Sequence, residues 1–318
     1  MHTPPSPTSA YGLSCVAVAV VLQAIGNGVF DGRISSTDSF LISFLAFFSA
    51  AVIFNVVQAV RRRADPGTHV PLGRRGRSLL VQLNVATAVT FLGFYLALSL
   101  MPSGAASFLE AGVVPLVIFV LLALPRGARP AWRDLPVAVL VFGLACVSAW
   151  RFYQDSSPGH AGDLLTGAIL ALVAGAGAGC IGLISRRLGE ARVAPVTVSA
   201  HRFHLTYLIA LGVLVFRADQ LGSPAHIGQL WLISLLTVTI PLFVLQIGLQ
   251  RSDTFRAGMV MSCLPAGTYL SAVALGGEFD VPTMALMAAA IAVPALFTVF
   301  TRRRAPLPDS SAKAPSPA

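Results

Sequence analysis

Charge is scarce in this chain. Of its 318 residues 11% are Asp, Glu, Lys or Arg, 55% are hydrophobic, and the mean hydropathy is +0.77. A water-soluble domain carries charge on about a quarter of its residues, so the composition excludes one and indicates a polytopic membrane protein. Cysteine is sparse too: Cys15, Cys146, Cys180 and Cys263 each stand alone in an apolar run, with no C-x-x-C spacing. That excludes a disulfide framework and a thiolate metal site, and leaves four small hydrophobes. The motifs of membrane-embedded or ATP-driven chemistry are also missing. There is no G-x-x-x-x-G-K-[ST] phosphate loop, no H-E-x-x-H and no G-x-S-G serine turn, and the neighbouring His201 and His204 have no Glu beside them. The chain is therefore read as no enzyme, with no metal and no cofactor. A net charge of +9 would suggest nucleic acid in a soluble protein. Here the arginines gather in short loops, which makes them a topology signal and leaves no nucleic-acid partner.

What the chain does have is apolar runs long enough to cross a ~30 Å hydrocarbon core, which takes about 20 residues each. Ten follow one another, near 11–30, 39–60, 79–101, 103–124, 135–151, 164–184, 195–216, 228–249, 254–276 and 282–300. The Pro/Ser-rich residues 1–10 have no basic start, so they read as a disordered tail, not a cleaved leader. Residues 301–318 read as a basic disordered tail. All but four of the 22 Lys and Arg fall on one side of the ten spans; Arg33, Arg151 and Arg217 fall on the other, and Arg202 lies inside the seventh span. Short cytoplasmic loops keep positive residues, so both termini are expected in the cytoplasm, as an even span count requires.

An internal repeat is legible as spacing. Shifted by 150 residues without gaps, the first five spans register on the second five, and Thr87 meets Thr237, Pro115 meets Pro265, and Ile34-Ser35 meets Ile184-Ser185. Five spans per half is an odd number, so the second half enters the membrane in the opposite sense. The fold class is then all-α, with ten transmembrane helices as two inverted five-helix repeats, 11–151 and 164–300. Such a pair suits alternating access about a site near the midplane.

Glu110 is the one acid placed within a span. An unpaired charge there costs on the order of 3 kcal/mol or more, which makes it a functional candidate. Ser107-Phe108-Leu109-Glu110 also fits the S-x-x-E box that caps a helix start. Pro102-Ser103-Gly104 is the better start, and it leaves Glu110 about two turns, ~10 Å, inside the helix. At that depth an acid can exchange protons or pair with a cationic substrate. Other polar groups share helix faces: Gln23 and Asn27, with Asp31 a turn further; and Asn84, Thr87, Phe91 and Tyr95 along the third span. For these, interhelical hydrogen bonding and packing stand beside substrate contact. Tyr269 is the ninth-span residue expected in a cavity wall. Arg202 reads first as a snorkelling side chain, and second as a gate or anion contact. Glu278 and Asp280 read as structural acids before Pro282 at a helix start. The A-G-A-G-A-G-C run from Ala174 to Cys180 allows either a tight helix contact or a hinge.

Three stretches, ALSLMPSGAASFLEAGVVPL, its second-half partner IGLQRSDTFRAGMVMSCLPAGTYLSAVALGGEFDVP, and APVTVSAHRF entering the seventh span, resemble the ten-helix EamA-like branch of the drug/metabolite transporter (DMT) superfamily over roughly residues 11–300. The chain departs from that pattern at Pro125-Arg126-Gly127, where a Gly-Glu pair is expected, and has no second-span Arg matching Arg202. The resemblance implies a secondary transporter of the bacterial inner membrane, with a central cavity between the first, third, fourth, sixth, eighth and ninth helices. It implies efflux of a small metabolite or amphipathic drug in exchange for protons, with membrane lipid as its surroundings. The alternatives are a flippase for a lipid or lipid-linked substrate, or a non-transporting membrane assembly factor. The candidate substrate residues are Glu110, Asn84, Thr87, Phe91, Tyr95, Gln23, Asn27 and Tyr269, and Glu110 is the candidate proton carrier.

The topology has a direct check. Single cysteines placed in the loop after Arg61 and in the loop after Arg151 should react with a membrane-impermeant maleimide from opposite faces of intact cells. Reaction of both from one face would overturn the inverted arrangement.

Overall fold

The computed structural model describes residues 7–64, 73–124, 132–154, 159–252 and 254–303. Most of the two expected tails lies outside these residues, as do the loops 65–72 and 125–131 with Arg126 and Arg129. The described chain is helical: α1 (Pro7–Phe30), α2 (Ser36–Ala64), α3 (Arg74–Leu98), α4 (Ser103–Ala123), α5 (Leu135–Gln154), α6 (Ala161–Glu190), α7 (Pro195–His201), α8 (His204–Val215), α9 (Pro224–Ser234), α10 (Ile240–Arg251), α11 (Thr254–Met261), α12 (Leu264–Ala274) and α13 (Val281–Arg303). These make ten spans, because α7–α8, α9–α10 and α11–α12 are each one crossing with an interruption. Eight crossings, α7–α8 and α9–α10 among them, are long and apolar enough to traverse a bilayer, Val281–Phe297 is a shorter apolar helix, and the ninth is divided by a turn at Ser262 and Cys263.

Local chemistry sets the boundaries. Ser35 and Asp38 cap α2 reciprocally: the Ser35 N–H and Oγ donate to Asp38 Oδ2, and the Asp38 N–H donates to Ser35 Oγ. Pro195 and Pro224 stand in the first turn of α7 and α9, where a missing N–H leaves no partner wanting. Pro241 is less easily placed, because its ring crowds the carbonyl four residues back. The chain takes a π-helical stretch over Leu235–Thr239 just ahead of it. The helix α4 begins at Ser103 and runs through Pro115. Glu110 is therefore mid-helix, and the capping-box reading of Ser107 to Glu110 falls.

The outer surface is apolar. Val81, Val85 and Val89, one turn apart on α3, are 65%, 49% and 41% exposed, and Val18, Val21, Val52 and Val56 do the same on α1 and α2. Aromatic side chains stand near helix ends, with Trp150 stacked on Tyr153 at one end and Trp132 against Phe119 at the other. A lipid-facing wall with aromatic rims is the pattern a bilayer selects.

Two helices hold the bundle together. The helix α6 of the second half lies between α3 and α4 of the first, and α1 of the first half lies between α10 and α11–α12 of the second. The spans two, four and five of the first half each meet their counterpart five spans on: α2 against α7–α8, α4 against α12, α5 against α13. Close approach at α6 rests on the glycine run. A Cβ on Gly175 would sit 2.3 Å from the Glu110 carbonyl oxygen, one on Gly177 would sit 2.3 Å from Thr90 Oγ1, and one on Gly179 would sit 3.0 Å from Val117. The run is thus a close packing contact inside one unbroken helix. The counterparts on α1 are Gly12 against the Arg251 backbone, Gly26 against Thr237 and Gly28 against Ser271 and Ala272.

Overpacking such a contact costs typically 1–3 kcal/mol. Gly175→Val should lower the melting temperature of the detergent-purified protein by several degrees or prevent its folding. Gly182→Ala, on the same helix but facing open space, should leave it unchanged or slightly raised.

Candidate functional site

Glu110 is half-buried on α4, and among the described residues no side chain or backbone group hydrogen-bonds its carboxyl. Its own helix is packed solid above it: Ser103 to Leu109 are all buried. The α4 start is tied down by Asp31, whose Oδ1 accepts from the Ser103 N–H. Asp31 is thereby an anion at a helix N-terminus. Tyr95 of α3 lies within electrostatic reach of Glu110. Further toward the arginine-rich end, Gln82, Leu121, Leu124, Cys180, Leu183, Ile184 and Arg187 line a cleft of about 240 Å³ on the same α3–α4–α6 seam. Leu121 is eleven residues past Glu110, three helical turns along one face of α4.

The third-span stripe divides. Tyr95 meets Phe30 edge-on at 6.2 Å and Phe91 at 6.3 Å; Phe91 meets Phe47 at 4.9 Å; Phe47 stacks on Phe203 at 5.1 Å. The result is a continuous column of rings through the bundle. Thr87 is fully buried, and its hydroxyl has no hydrogen-bond partner among the described residues. Asn84 is engaged elsewhere: its Nδ2 donates to the His201 carbonyl and its Oδ1 accepts from the Leu205 N–H at 3.3 Å. With Asn55 of α2, which donates to the Ala200 carbonyl at 3.0 Å, it serves backbone groups that the α7–α8 break leaves unpaired. On α1, Asn27 is 7% exposed and Gln23 half-buried, and neither side chain makes a hydrogen bond among the described residues. Tyr269 is buried under the opposite end, where its hydroxyl accepts from the Asp280 N–H, and Gly104 of α4 packs on its ring.

Arg202 corrects a reading. It does not reach a headgroup: it is 3% exposed, its Nη1 donates to Gln246 Oε1 at 2.9 Å, and its guanidinium lies 5.1 Å from the Phe203 ring centre. Composition misled here, because an Arg near a span end can snorkel only where its helix faces lipid.

The arginine-poor end is laced across the two halves. All three arginines assigned to it make such links. Arg33 Nη2 donates to the Leu275 carbonyl at 2.7 Å, Arg151 pairs with Asp280 at 3.5 Å, and Arg217 donates to Ser36 Oγ at 3.1 Å. The Thr37 hydroxyl donates to Gln220 at 2.9 Å, and His226 Nε2 lies 2.8 Å from Asp38. Asp280 also caps α13 by accepting from the Thr283 N–H at 2.9 Å, the structural role expected for it. Sequence reasoning named none of these links as functional. The signal was present: three arginines standing on the side that should carry few.

Comparison with known proteins agrees with this geometry. A crystal structure titled only as that of a protein shares the fold at a TM-score of 0.66, with 17% identity over 95% of this chain and 99% of that one. No curated protein sequence matches the chain. The descriptor EamA-like transporter family matches residues 165–304, which are α6 to α13 with their connections, the half that supplies Arg202, Gln246 and Tyr269. Residues 165–304 are thus similar to the EamA-like transporter family, and the ten helical spans with their lipid-facing apolar wall make the chain a polytopic helical membrane protein.

Proposed function

We propose that this protein is a secondary transporter of the bacterial inner membrane that exports a small metabolite or amphipathic drug in exchange for protons, with both termini in the cytoplasm. The observation that carries the reading is Glu110: an acid within a span, with no hydrogen-bond or ionic partner among the described residues, under a closed roof and on the seam that leads to the cleft beside Arg187. Such a group changes charge cheaply only when water or a cation reaches it, so its proton follows the opening of the bundle. The odd number of spans per half and the exchange of packing partners between halves support repeats of opposite sense, and with them alternating access. In this reading the laced end is the closed external gate and the cleft is the cytoplasmic entrance. Asn27, Gln23, Thr87, Phe91 and Tyr95 wall the cargo path. Asn84 and Tyr269 hold its ends in shape.

Glu110→Gln keeps the shape and removes the titration. In cells with equal expression it should abolish proton-linked efflux, and the efflux it retains should no longer depend on external pH. Equal transport by both proteins across external pH would exclude Glu110 as the proton carrier.

The gate has its own measurement. Exposed ion pairs contribute up to about 1 kcal/mol, so Arg151→Gln should raise labelling of a Ser107→Cys reporter from the arginine-poor side by up to about fivefold. The hydrogen bond from Thr283, aided by Arg151, holds the Asp280 carboxyl below the ordinary value of 3.8. A group held low contributes above its unfolded value and fails only as pH falls through the lower folded one. The wild-type labelling rate should therefore not change through loss of this pair between about pH 5 and 8.

A further inference from the structure

The second half holds a buried positive charge that none of its described residues balances. Arg202 is 3% exposed, and Gln246 and Ser185 beside it are fully buried. Among the described residues no carboxylate pairs with Arg202. Its Nη1 is satisfied by Gln246 Oε1, which also accepts from Ser185 Oγ at 3.4 Å. Those two bonds fix the Gln246 amide, since turning it would set two donors face to face. Two buried donors are then left without an acceptor, Arg202 Nε and Gln246 Nε2. The Nε edge is the side of a guanidinium that matches the two oxygens of a carboxylate. A neutral amide and one aromatic face do not neutralise a buried cation, and a group left with an unpaired charge is strongly unfavourable.

The position adds a second reason. Arg202 stands at the α7–α8 break, just before the start of α8, where Asn84 already accepts from the Leu205 N–H of the first turn. Interrupted spans use such ends to receive anionic groups. Beside it rise the stacked rings of Phe203, Phe47 and Phe91.

We propose that Arg202 and Gln246 form a binding site for the carboxylate of a solute whose apolar body lies along those rings. This rests on the transporter reading only in taking that solute as cargo. One formal charge and two idle donors fit a carboxylate better than a phosphate dianion.

The test uses the purified full-length protein in detergent, read by its melting temperature, with sodium benzoate as probe and benzamide as the uncharged control. Benzoate should raise the melting temperature saturably, and benzamide should not. Arg202→Lys keeps the charge but loses the planar fork, and should weaken half-saturation at least tenfold. Gln246→Glu sets a carboxylate on the arginine from within, so it should melt higher than wild type and no longer respond to benzoate. No benzoate response in folded wild type, or an undiminished response in Gln246→Glu, overturns the proposal. So does stabilisation by glycerol phosphate in place of benzoate, which would assign the site to a lipid headgroup. The assay needs no transport, so its failure is separate from a failure of the Glu110→Gln efflux experiment.

Discussion

The structure depends on how closely two helix backbones can approach their neighbours in the opposite half. In lipid there is no hydrophobic gain from bringing helices together, because the acyl chains are as apolar as leucine, so association rests on close packing and interhelical hydrogen bonds. Glycine supplies the first. At Gly175 and Gly177 the neighbouring atoms stand where a Cβ would lie, within 2.3 Å, and the same holds slightly less tightly for Gly12, Gly26 and Gly28. Each half inserts one helix into the other, so neither is a self-contained bundle.

The polar residues then fall into two groups. One repairs backbone. Asn55 and Asn84 serve the gap between α7 and α8, Asp31 and Asp280 cap helix starts, and Thr239 donates to the Ala46 carbonyl across the bundle at 2.9 Å. In a solvent without water, unpaired backbone must find such partners or be rebuilt as helix. The other group has polar atoms with no partner among the described residues, and includes Glu110, Thr87, the Nε edge of Arg202 and the amide nitrogen of Gln246. Residues of the first kind make the interruptions stable. Residues of the second kind are the ones whose surroundings change if the interior opens.

Much of this was legible in the chain itself. The apolar runs located all ten crossings, and Pro102-Ser103-Gly104 set the start of α4, which in turn placed Glu110 mid-helix. Small residues at alternate positions marked α6 as a contact helix, though not whether it was rigid. What could not be read were partners distant in sequence. Asn84 shares a helix face with Phe91 and Tyr95, and its pattern is that of a cavity stripe. Its bond to His201 spans 117 residues and has no local signature. Arg202 looked like a snorkelling residue because hydropathy records depth along a span but not which neighbour the helix turns toward. Tyr269 was expected to line a wall, and its hydroxyl instead holds the backbone of the α12–α13 connection.

The exchange of helices also has a consequence for biogenesis. Synthesis delivers α1 to the bilayer first, yet the groups that hold it there are made last: the Ser271 hydroxyl that reaches the Ile25 carbonyl follows it by 246 residues, and the Leu275 carbonyl that receives Arg33 follows that arginine by 242. Gly12 and Gly26 of the nascent first helix find their partners only with the eighth crossing, and Gly28 only with the ninth. Long-range closure of this kind is slow and leaves partly assembled species exposed. The packing of the first helix is therefore completed only after the last crossings have been made.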